Sequence, residues 1–220
     1  MTDAQAQRLW DRACSVREGG RIVEIGSFRG RSTIVLASAA SSDAEVVAID
    51  PHAGNDRGPQ EIEGFEDEAE QDHEVFHANL RAAGVDDRVR HVRRPSQEAL
   101  DEVSGAVDLL YIDGAHRYRP ALADIRRWGE RVPPGGTLLI HDSFSSIGVT
   151  LALLRSMLAS ADFRYVGRST SMAEYRRGRL PRKERLSNAG RQLAQLPWFA
   201  RNVVIKVLIA THLKKGSWPY

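Results

Sequence analysis

The sequence predicts an α/β fold, a Rossmann-like and mostly parallel sheet flanked by helices on both faces. Short apolar runs at 21–26, 45–50, 88–93, 107–113 and 136–142 are each separated from the next by a helix-like segment. Two further runs, 163–168 and 171–177, are close enough in the chain to form an antiparallel hairpin at the sheet edge. The 220 residues, 42% of them hydrophobic, suffice for one globular domain with a substantial core.

The elements follow in order along the chain. Helices are expected at 4–17, 31–41, 70–84, 96–104, 118–131 and 148–160, and the fifth must end before Pro133 and Pro134, which cannot continue it. Residues 1–177 would form the domain. Within it, 51–70 has little apolar periodicity and is predicted to be an acidic lid over the site, with a solvated loop as the alternative. Residues 178–220 would form a basic helical appendage.

Composition limits the kinds of protein that this chain can be. A single cysteine, Cys14, excludes an internal disulfide framework and suits a reducing cytoplasm. The N-terminus lacks the order of a signal peptide, and no apolar run approaches the roughly 18 residues that span a bilayer. Ten acidic residues and one arginine occupy 50–75, whereas 13 basic and two acidic residues occupy 164–220. A basic segment of this kind is either a solvated face or a surface for anions.

The first predicted strand leads into a glycine-containing turn, IVEIGSFRGRST, before a helix that Ser32 or Thr33 would cap. Gly26 and Gly30 allow positive φ and close approach of a ligand. Their spacing is neither that of a dinucleotide-binding turn nor that of a phosphate loop. Asp50 ends the second strand, where an acid can accept hydrogen bonds from both hydroxyls of a ribose. These features predict a nucleoside site.

Two more strands end in a carboxylate and an imidazole: YIDGAH gives Asp113 and His116, and LLIHDS gives His141 and Asp142. Adjacent parallel strands lie about 4.8 Å apart, so these side chains should be neighbours. Paired carboxylates favour a hard cation such as Mg²⁺ or Mn²⁺. A histidine here could instead take a proton from a hydroxyl. Asp113, His141 and Asp142 are therefore the predicted metal ligands, and His116 and His141 the predicted bases.

These motifs together, EIGSFRGRST, AIDP, YIDGAHRY and GGTLLIHD, resemble those of class I S-adenosyl-L-methionine-dependent methyltransferases. More narrowly, they resemble the metal-dependent sugar and small-molecule O-methyltransferases, which include macrolide-sugar, cephalosporin-hydroxylase-like and mycobacterial mannose O-methyltransferase relatives. The resemblance covers about residues 20–175. It implies a seven-stranded sheet whose last strand is antiparallel. It also implies a cofactor site with the methionine part near the glycine turn, the ribose at Asp50 and the adenine at Ser96, made of Glu24, Gly26, Ser27, Gly30, Ser32, Asp50, Ser96 and Asp113.

The chain departs from this group at one position, because His141 stands where relatives have a third acidic or amide ligand. His141 is then either a nitrogen ligand for a softer metal or a base. In relatives with D-x-x-H after the fourth strand the histidine is the general base, which makes His116 the first choice and His141 the second. The other histidines considered, His52, His73 and His77, have no convincing ligand spacing and are expected at the surface.

The predicted function is methyl transfer from S-adenosylmethionine to a hydroxyl of a sugar, oligosaccharide or other polar small molecule. The alternatives are an NAD-dependent oxidoreductase, which the glycine spacing disfavours, and a non-catalytic cofactor-binding adaptor whose basic tail binds a membrane or nucleic acid. The tail contains an apolar-faced helix, with Trp198 and Phe199 among its residues, that would pack on its own domain, on a second subunit as a homodimer, or on a membrane surface. No nucleic-acid partner is expected, because no aromatic residues are arranged for stacking on a strand.

Overall fold

The structure is a computed structural model that describes residues 1–53 and 66–211. A seven-stranded sheet in the order β3-β2-β1-β4-β5-β7-β6 forms its centre. The strands are β1 (Arg21–Ile25), β2 (Glu45–Ile49), β3 (Val89–Val92), β4 (Leu109–Ile112), β5 (Thr137–Ile140), β6 (Phe163–Ser169) and β7 (Met172–Arg177). The helices are α1 (Asp3–Cys14), α2 (Arg31–Ala39), α3 (Glu66–Ala82), α4 (Tyr118–Gly129), α5 (Ile147–Ser156), α6 (Arg182–Leu193) and α7 (Leu196–Ala210).

The predicted fold class is confirmed. Strands β1 to β5 pair in parallel, and β7 is antiparallel to both of its neighbours, β5 and β6. The order of strands reverses beside β1, where the chain passes from β3 at one edge back to β4. In open α/β sheets the crevice beyond the carboxyl ends of the strands at such a reversal is where ligands bind.

Each face of the sheet carries its own apolar core. On one face α1, α2 and α3 bury residues such as Leu9, Leu36 and Phe76 against the strand side chains that point toward these helices. On the other face α4 and α5 bury Trp128 and Leu153 in the same way. Burial of each such side chain contributes about 1.5–3 kcal/mol, and the two cores hold the central strands in a fixed register. That register places the site.

Helix α1 is joined to the antiparallel strand β7 by charge. Glu174 is buried, and its two carboxylate oxygens accept from Arg8 at 2.5 Å and from Arg12 at 2.7 Å. A buried carboxylate is tolerated because both oxygens are paired. The consequence is that the start of α1 lies beside the carboxyl end of β5.

The C-terminal region packs on its own domain. Asn188 of α6 accepts from the Tyr165 amide at 2.7 Å and donates to the Phe163 carbonyl at 3.1 Å, so it pairs with the backbone of edge strand β6. Trp198 and Phe199 of α7 pack against the core, and the Arg168 guanidinium lies 3.8 Å from the Trp198 ring centroid. The α6 and α7 segments therefore cover the β6 edge of the sheet.

One predicted helix, at 96–104, is wrong. The segment forms a turn and a short 3₁₀ helix at Leu100–Glu102. The carbonyl of Ser96, which a helix would use internally, instead accepts from the Trp128 indole at 3.1 Å. Most of the predicted lid (54–65) and the end of the tail (212–220) lie outside the described residues. Within the part of the chain that the structure describes, no helix is long and apolar enough to cross a membrane.

Candidate functional site

Four buried isoleucines, one at the end of each of four adjacent parallel strands, lie in a single row across the sheet. Ile49, Ile25, Ile112 and Ile140 pair in register. The residues that follow them are Asp50, Gly26, Asp113 and His141. Ladder hydrogen bonds continue one residue further, since Gly26 donates to Ile49 at 2.9 Å, Asp113 to Ile25 at 2.8 Å and His141 to Ile112 at 2.9 Å. The backbone ladder thus fixes the predicted site residues along one edge.

The glycine turn has the conformations that the sequence predicted. Gly26 and Gly30 have φ of 86° and 82°, which favours glycine. A Cβ at Gly26 would lie 2.4 Å from the carbonyl oxygen of Asp113. Glycine is therefore needed here because the backbone of Asp113 packs directly against it. Gly30 begins α2. The turn therefore brings the β1 and β4 ends into direct contact.

Asp50 is held by two backbone donors. Its Oδ2 accepts from the Phe28 amide and its Oδ1 from the His52 amide, both at 2.8 Å. A carboxylate has about four lone-pair positions, so two donors leave capacity for two more. The side chain is 16% exposed. It can accept from a diol placed above the glycine turn.

Glu24 and Ser27 supply buried polar atoms without a partner among the described residues. Glu24 is fully buried; its Oε2 accepts from the Thr33 hydroxyl, while Oε1 has no hydrogen bond. Burial raises the pKa of Glu24 to about 8, against the opposing effect of the Ser32 and Thr33 hydroxyls. The Ser27 hydroxyl is likewise buried and without a partner. Such atoms fit the polar end of a bound ligand.

Asp113 and His141 form the inner half of the carboxylate–imidazole group. Nδ1 of His141 lies 2.9 Å from Asp113 Oδ1 and 3.6 Å from Asp142 Oδ1. Nδ1 makes no aligned hydrogen bond, so these are electrostatic contacts, which become ion pairs when His141 is protonated. Burial alone would lower the pKa of His141, but the two carboxylates outweigh it and raise that pKa.

Asp142 and His116 form the outer half. His116 Nε2 lies 2.8 Å from Asp142 Oδ2, and the His116 side chain is 48% exposed. Burial would raise the pKa of Asp142, but the hydrogen bond from His116 and the nearby positive charges lower it. An imidazole that donates Nε2–H to a carboxylate carries its lone pair on Nδ1. His116 therefore has the arrangement of a base, at an accessible position.

Helix α1 contributes a residue that fixes the tautomer of His141. Gln5 Oε1 accepts from the Thr2 amide at 2.7 Å, which orients the Gln5 side chain, and Gln5 Nε2 then lies 3.2 Å from His141 Nε2. Since the Gln5 amide nitrogen can only donate, His141 Nε2 accepts and the proton lies on Nδ1. Asp113 and Asp142 favour a second proton on His141, which would bind to Nε2. Gln5 disfavours that proton, because its amide N–H already points at Nε2. In either state Nδ1 is protonated and Nε2 faces Gln5.

Ser96, which follows β3, is paired with a residue of α4. Its hydroxyl donates to buried Asp124 at 2.5 Å, and Gln97 donates to the same oxygen. The structure thus brings together every predicted site residue at the β1, β2, β4 and β5 ends, with Ser96 beyond β3. Contact of Ser96 with an adenine stays a prediction.

Three contributors to the site were not predicted. Gln5 orients His141, Tyr111 donates its hydroxyl to Asp113 Oδ2 at 2.8 Å, and Lys206 donates to the Ser145 carbonyl at 3.0 Å near Asp142. The T-x-x-Q capping box at Thr2 could have placed Gln5 at a helix start. It contains no signal for the contact with His141, which depends on where α1 docks.

Comparison with known proteins gives one family match. A family model described as "Methyltransferase domain" matches residues 23–143, a span that includes the glycine turn, Asp50 and both carboxylate–imidazole motifs. The catechol O-methyltransferase of Mycobacterium tuberculosis (strain ATCC 25618 / H37Rv) is 31% identical over 136 residues, covering 60% of this chain and 51% of that protein. The chain spans about half the length, or less, of the curated relatives that it matches.

Solved structures share the fold. Cofactor-bound Rv0187 from MTB superposes with a TM-score of 0.61 at 22% identity, over 80% of each chain. The O-methyltransferase TomG from Streptomyces achromogenes, in complex with SAM, superposes with a TM-score of 0.54 at 21% identity, over 80% of this chain and 78% of that one. At these identities the likeness establishes the architecture.

Proposed function

Since this chain belongs to the methyltransferase-domain family, we propose that it is an S-adenosylmethionine-dependent O-methyltransferase that acts on a hydroxyl of a sugar or other polar small molecule. The observation that carries the proposal is the row of strand ends. It sets a glycine turn and Asp50 beside two carboxylate–imidazole pairs, Asp113 with His141 and Asp142 with His116.

The cofactor would lie across the β1 and β2 ends. Asp50 would accept from the two ribose hydroxyls, and the buried polar atoms of Glu24 and Ser27 would face the methionine part. The pKa of Glu24, raised to about 8, means that it is protonated at neutral pH before a ligand binds. It can then ionise in response to a cationic ligand such as a sulfonium amino acid. These residues are reached from the same side of the sheet as Asp113.

The reaction moves a methyl group from sulfur to oxygen. The acceptor oxygen forms a bond to the methyl carbon as the carbon–sulfur bond breaks, and the sulfur keeps the electron pair and becomes a neutral thioether. The hydroxyl proton goes to Nδ1 of His116, whose Nε2–H remains paired with Asp142. His141 is the weaker candidate for the base because its Nδ1 is protonated and its Nε2 faces Gln5. It would instead fix the positions of the two carboxylates.

A divalent cation, Mg²⁺ or Mn²⁺, fits the donor chemistry of Asp113 and Asp142, whose carboxylates stand on adjacent strands and are both partly exposed. These two residues would hold it, and His141, the third predicted ligand, could join them only after its Nδ1 loses the proton that faces the carboxylates. When bound, such a cation lowers the pKa of a hydroxyl that coordinates it. In the arrangement described here the His141 imidazole lies between the carboxylates and partly neutralises them.

The acceptor would enter beside a small cavity whose lining includes Asp113, Ala115, His116 and His141. Most of the other lining residues are apolar, Ile112, Ile125 and Val149 among them, so Asp113, His116 and His141 supply the groups that could bind the hydroxyls of an acceptor. The curated relative named for catechol suggests a second acceptor class, because catechols and sugars both present neighbouring hydroxyl groups. Both classes belong in the test.

The test has a binding part and a turnover part. Calorimetric titrations with S-adenosylmethionine and with NAD should show binding of the first alone. Sugars, polyols and catechols are then screened for methylation with and without EDTA, using the wild type, Asp113→Ala and the matched surface control Asp101→Asn. Asp113→Ala should keep most of the cofactor affinity, because Asp50 remains and Asp113 contacts His141 and Tyr111, but it should lose at least about a hundredfold in turnover. Asp101→Asn should match the wild type.

Wild-type turnover in Asp113→Ala would remove the carboxylate–imidazole group from the proposal. Binding of NAD instead would favour an oxidoreductase, and binding of S-adenosylmethionine without turnover on any acceptor would favour a non-catalytic adaptor. Membrane contact through the tail, homodimer formation and a cytoplasmic location stay predictions. A liposome pull-down and a measurement of mass in solution address the first two.

A further inference from the structure

Four histidines form a second cluster, away from the carboxylate–imidazole group. His73 and His77 lie one turn apart on α3, where side chains at i and i+4 share a face, and His91 lies on β3. One ring nitrogen from each of these three lies within 4.8 Å of the other two. His52, which follows β2, packs its ring 5.3 Å from that of His73 and 5.1 Å from that of His91. The expectation that these histidines lie at the surface is wrong for His52, which is buried, whereas His73 and His77 are half-buried.

Each of the three converging imidazoles also contacts an oxygen through one ring nitrogen. His77 Nδ1 lies 3.1 Å from Asp86 Oδ1, His73 Nδ1 lies 3.5 Å from Glu70 Oε1, and His91 Nε2 lies 3.3 Å from the carbonyl of Asp50. Such contacts place the proton on the nitrogen that faces the oxygen and leave the lone pair on the other. This is the outer-shell arrangement that orients histidine ligands around metal ions.

Two of the three rings lie in surroundings that disfavour a proton. Burial and the neighbouring His52 lower the pKa of His91 to about 4, and burial and the Arg93 charge lower the pKa of His73. The three ligands are partly exposed, with 22% of the His73 side chain and 31% of the His77 side chain accessible, so an ion can reach them.

We propose that His73, His77 and His91 bind a transition-metal ion of the Zn²⁺ class, with one coordination position left open. Imidazole ligands select Zn²⁺ and its neighbours over Mg²⁺, whereas paired carboxylates such as Asp113 and Asp142 favour Mg²⁺. The site is separate from the carboxylate–imidazole group. The three nitrogens lie within 4.8 Å of one another. To bind one ion with Zn–N bonds of about 2.0–2.1 Å they must come closer together, which needs a small movement of α3 toward β3.

The position of the site suggests what the ion would do. His91 contacts the Asp50 carbonyl, and the His52 amide donates to the Asp50 carboxylate at 2.8 Å. An ion that fixes α3 on β3 would also fix the loop that carries Asp50. This second step rests on the proposed function, in which Asp50 binds the cofactor ribose. Zn²⁺ should then tighten binding of S-adenosylmethionine severalfold.

The metal site is tested without the cofactor. Tag-free full-length protein is titrated with Zn²⁺ against a chromophoric chelator in millimolar Mg²⁺, which occupies any oxygen-ligand site, and the bound zinc is counted by elemental analysis. The wild type should bind one zinc ion per chain. His77→Gln and His91→Gln should each weaken binding by at least about tenfold. The matched control His116→Gln, in the other imidazole group, should bind zinc like the wild type.

Two readouts keep the result clear if a variant folds poorly. Circular dichroism reports the fold of each variant, and the visible spectrum of Co²⁺ bound to the wild type reports nitrogen ligation without any substitution. Three results would overturn the site. They are absence of zinc binding in the wild type, wild-type affinity for zinc in both His77→Gln and His91→Gln, and loss of zinc binding in His116→Gln alone. Zinc binding that leaves affinity for S-adenosylmethionine unchanged would overturn only the coupling to Asp50.

Discussion

Two groups of imidazoles occupy the carboxyl edge of one sheet and differ in what surrounds them. At the β4 and β5 ends, His116 and His141 are each paired with a carboxylate, and the pKa of His141 is raised. Beside β2 and β3, His52, His73 and His91 pack mainly against one another, and the pKa of His91 falls to about 4. The same side chain is thus prepared to hold a proton in one place and to stay neutral in the other.

The difference follows from the partners rather than from burial. Burial opposes the charged form in both groups, and only the carboxylates of Asp113 and Asp142 reverse it at His141. A group that exchanges protons with a substrate needs such carboxylates. In the second group Glu70 contacts His73, but burial and the neighbouring positive charges outweigh it and lower the pKa values of His73 and His91. We therefore assign acid–base chemistry to the first group and metal binding to the second.

The largest expected effect separates the two histidines of the first group. His116→Gln should lower kcat by about 10²–10⁴-fold with little change in cofactor affinity, because it removes the base. His141→Gln should lower kcat less, since it removes a positioning residue, and the wild-type dependence of kcat on pH should persist in it. Stopped assays across pH on the acceptor found by the screen measure both. A larger loss in His141→Gln would reverse the assignment.

Asp50 connects the two groups, and its substitution should have the next largest effect. Asp50→Asn keeps the shape but loses the charge that receives the Phe28 and His52 amides. Hydrogen bonds to charged groups contribute about 1.5–3 kcal/mol each, so affinity for S-adenosylmethionine should fall by roughly 10–100-fold. Calorimetry measures the loss, with exposed Asp43→Asn as the control. Affinity within about threefold of wild type would place the ribose elsewhere.

The sequence predicted the first group well and the second not at all, for a physical reason. Apolar runs that end in Asp113 or His141 are local patterns, and parallel pairing brings their ends together. The second group joins positions 52, 73, 77 and 91, which only the crossover through α3 brings together. The spacing of His73 and His77 within a predicted helix indicated that these two rings share a face. The third residue of the proposed metal site, His91, lies on a strand, and no local pattern connects it with the other two.

The remaining error and the missed Gln5 have similar causes. The helix expected at 96–104 fails because Ser96 and Gln97 donate to Asp124 of α4, a residue distant in sequence. Gln5 reaches His141 because α1 docks on the sheet, through its apolar Leu9 and through the ion pairs of Arg8 and Arg12 with Glu174. In both cases tertiary contacts decide the local structure. Sequence periodicity carries no information about such contacts.

The opposite pKa shifts predict opposite dependences of stability on pH. In metal-free protein the unfolded chain protonates His91 near pH 6.5, whereas the folded protein does so near pH 4, so stability falls as pH is lowered between these values. The effect should be roughly 1–3 kcal/mol. His141 acts in reverse, because its stabilisation is complete below pH 6.5 and is lost as pH rises through its raised folded pKa.

Urea unfolding in EDTA at several pH values measures both effects as differences from wild type. His91→Gln should flatten the loss of stability toward pH 4, and His141→Gln should flatten the loss at higher pH. Equal pH profiles for the two variants would contradict the assignment of different surroundings. Chemical shifts of the histidine ring protons give the two pKa values directly.

Glu24 applies the same reasoning to a carboxylate and predicts the smallest effect. Because its pKa is raised to about 8, Glu24 is protonated in the folded protein, and Glu24→Gln should change the free energy of unfolding by less than about 1 kcal/mol at about pH 4, where the unfolded chain is protonated at this residue too. The wild type should lose stability as pH rises from 4.5 toward 8, since the unfolded chain releases this proton first, and the variant should lose less.

Glu174→Gln provides the contrast. It removes the charge from a buried carboxylate that pairs with Arg8 and Arg12, and should cost roughly 1–3 kcal/mol at pH 7. Similar losses in the two variants would mean that Glu24 is ionised in the folded protein.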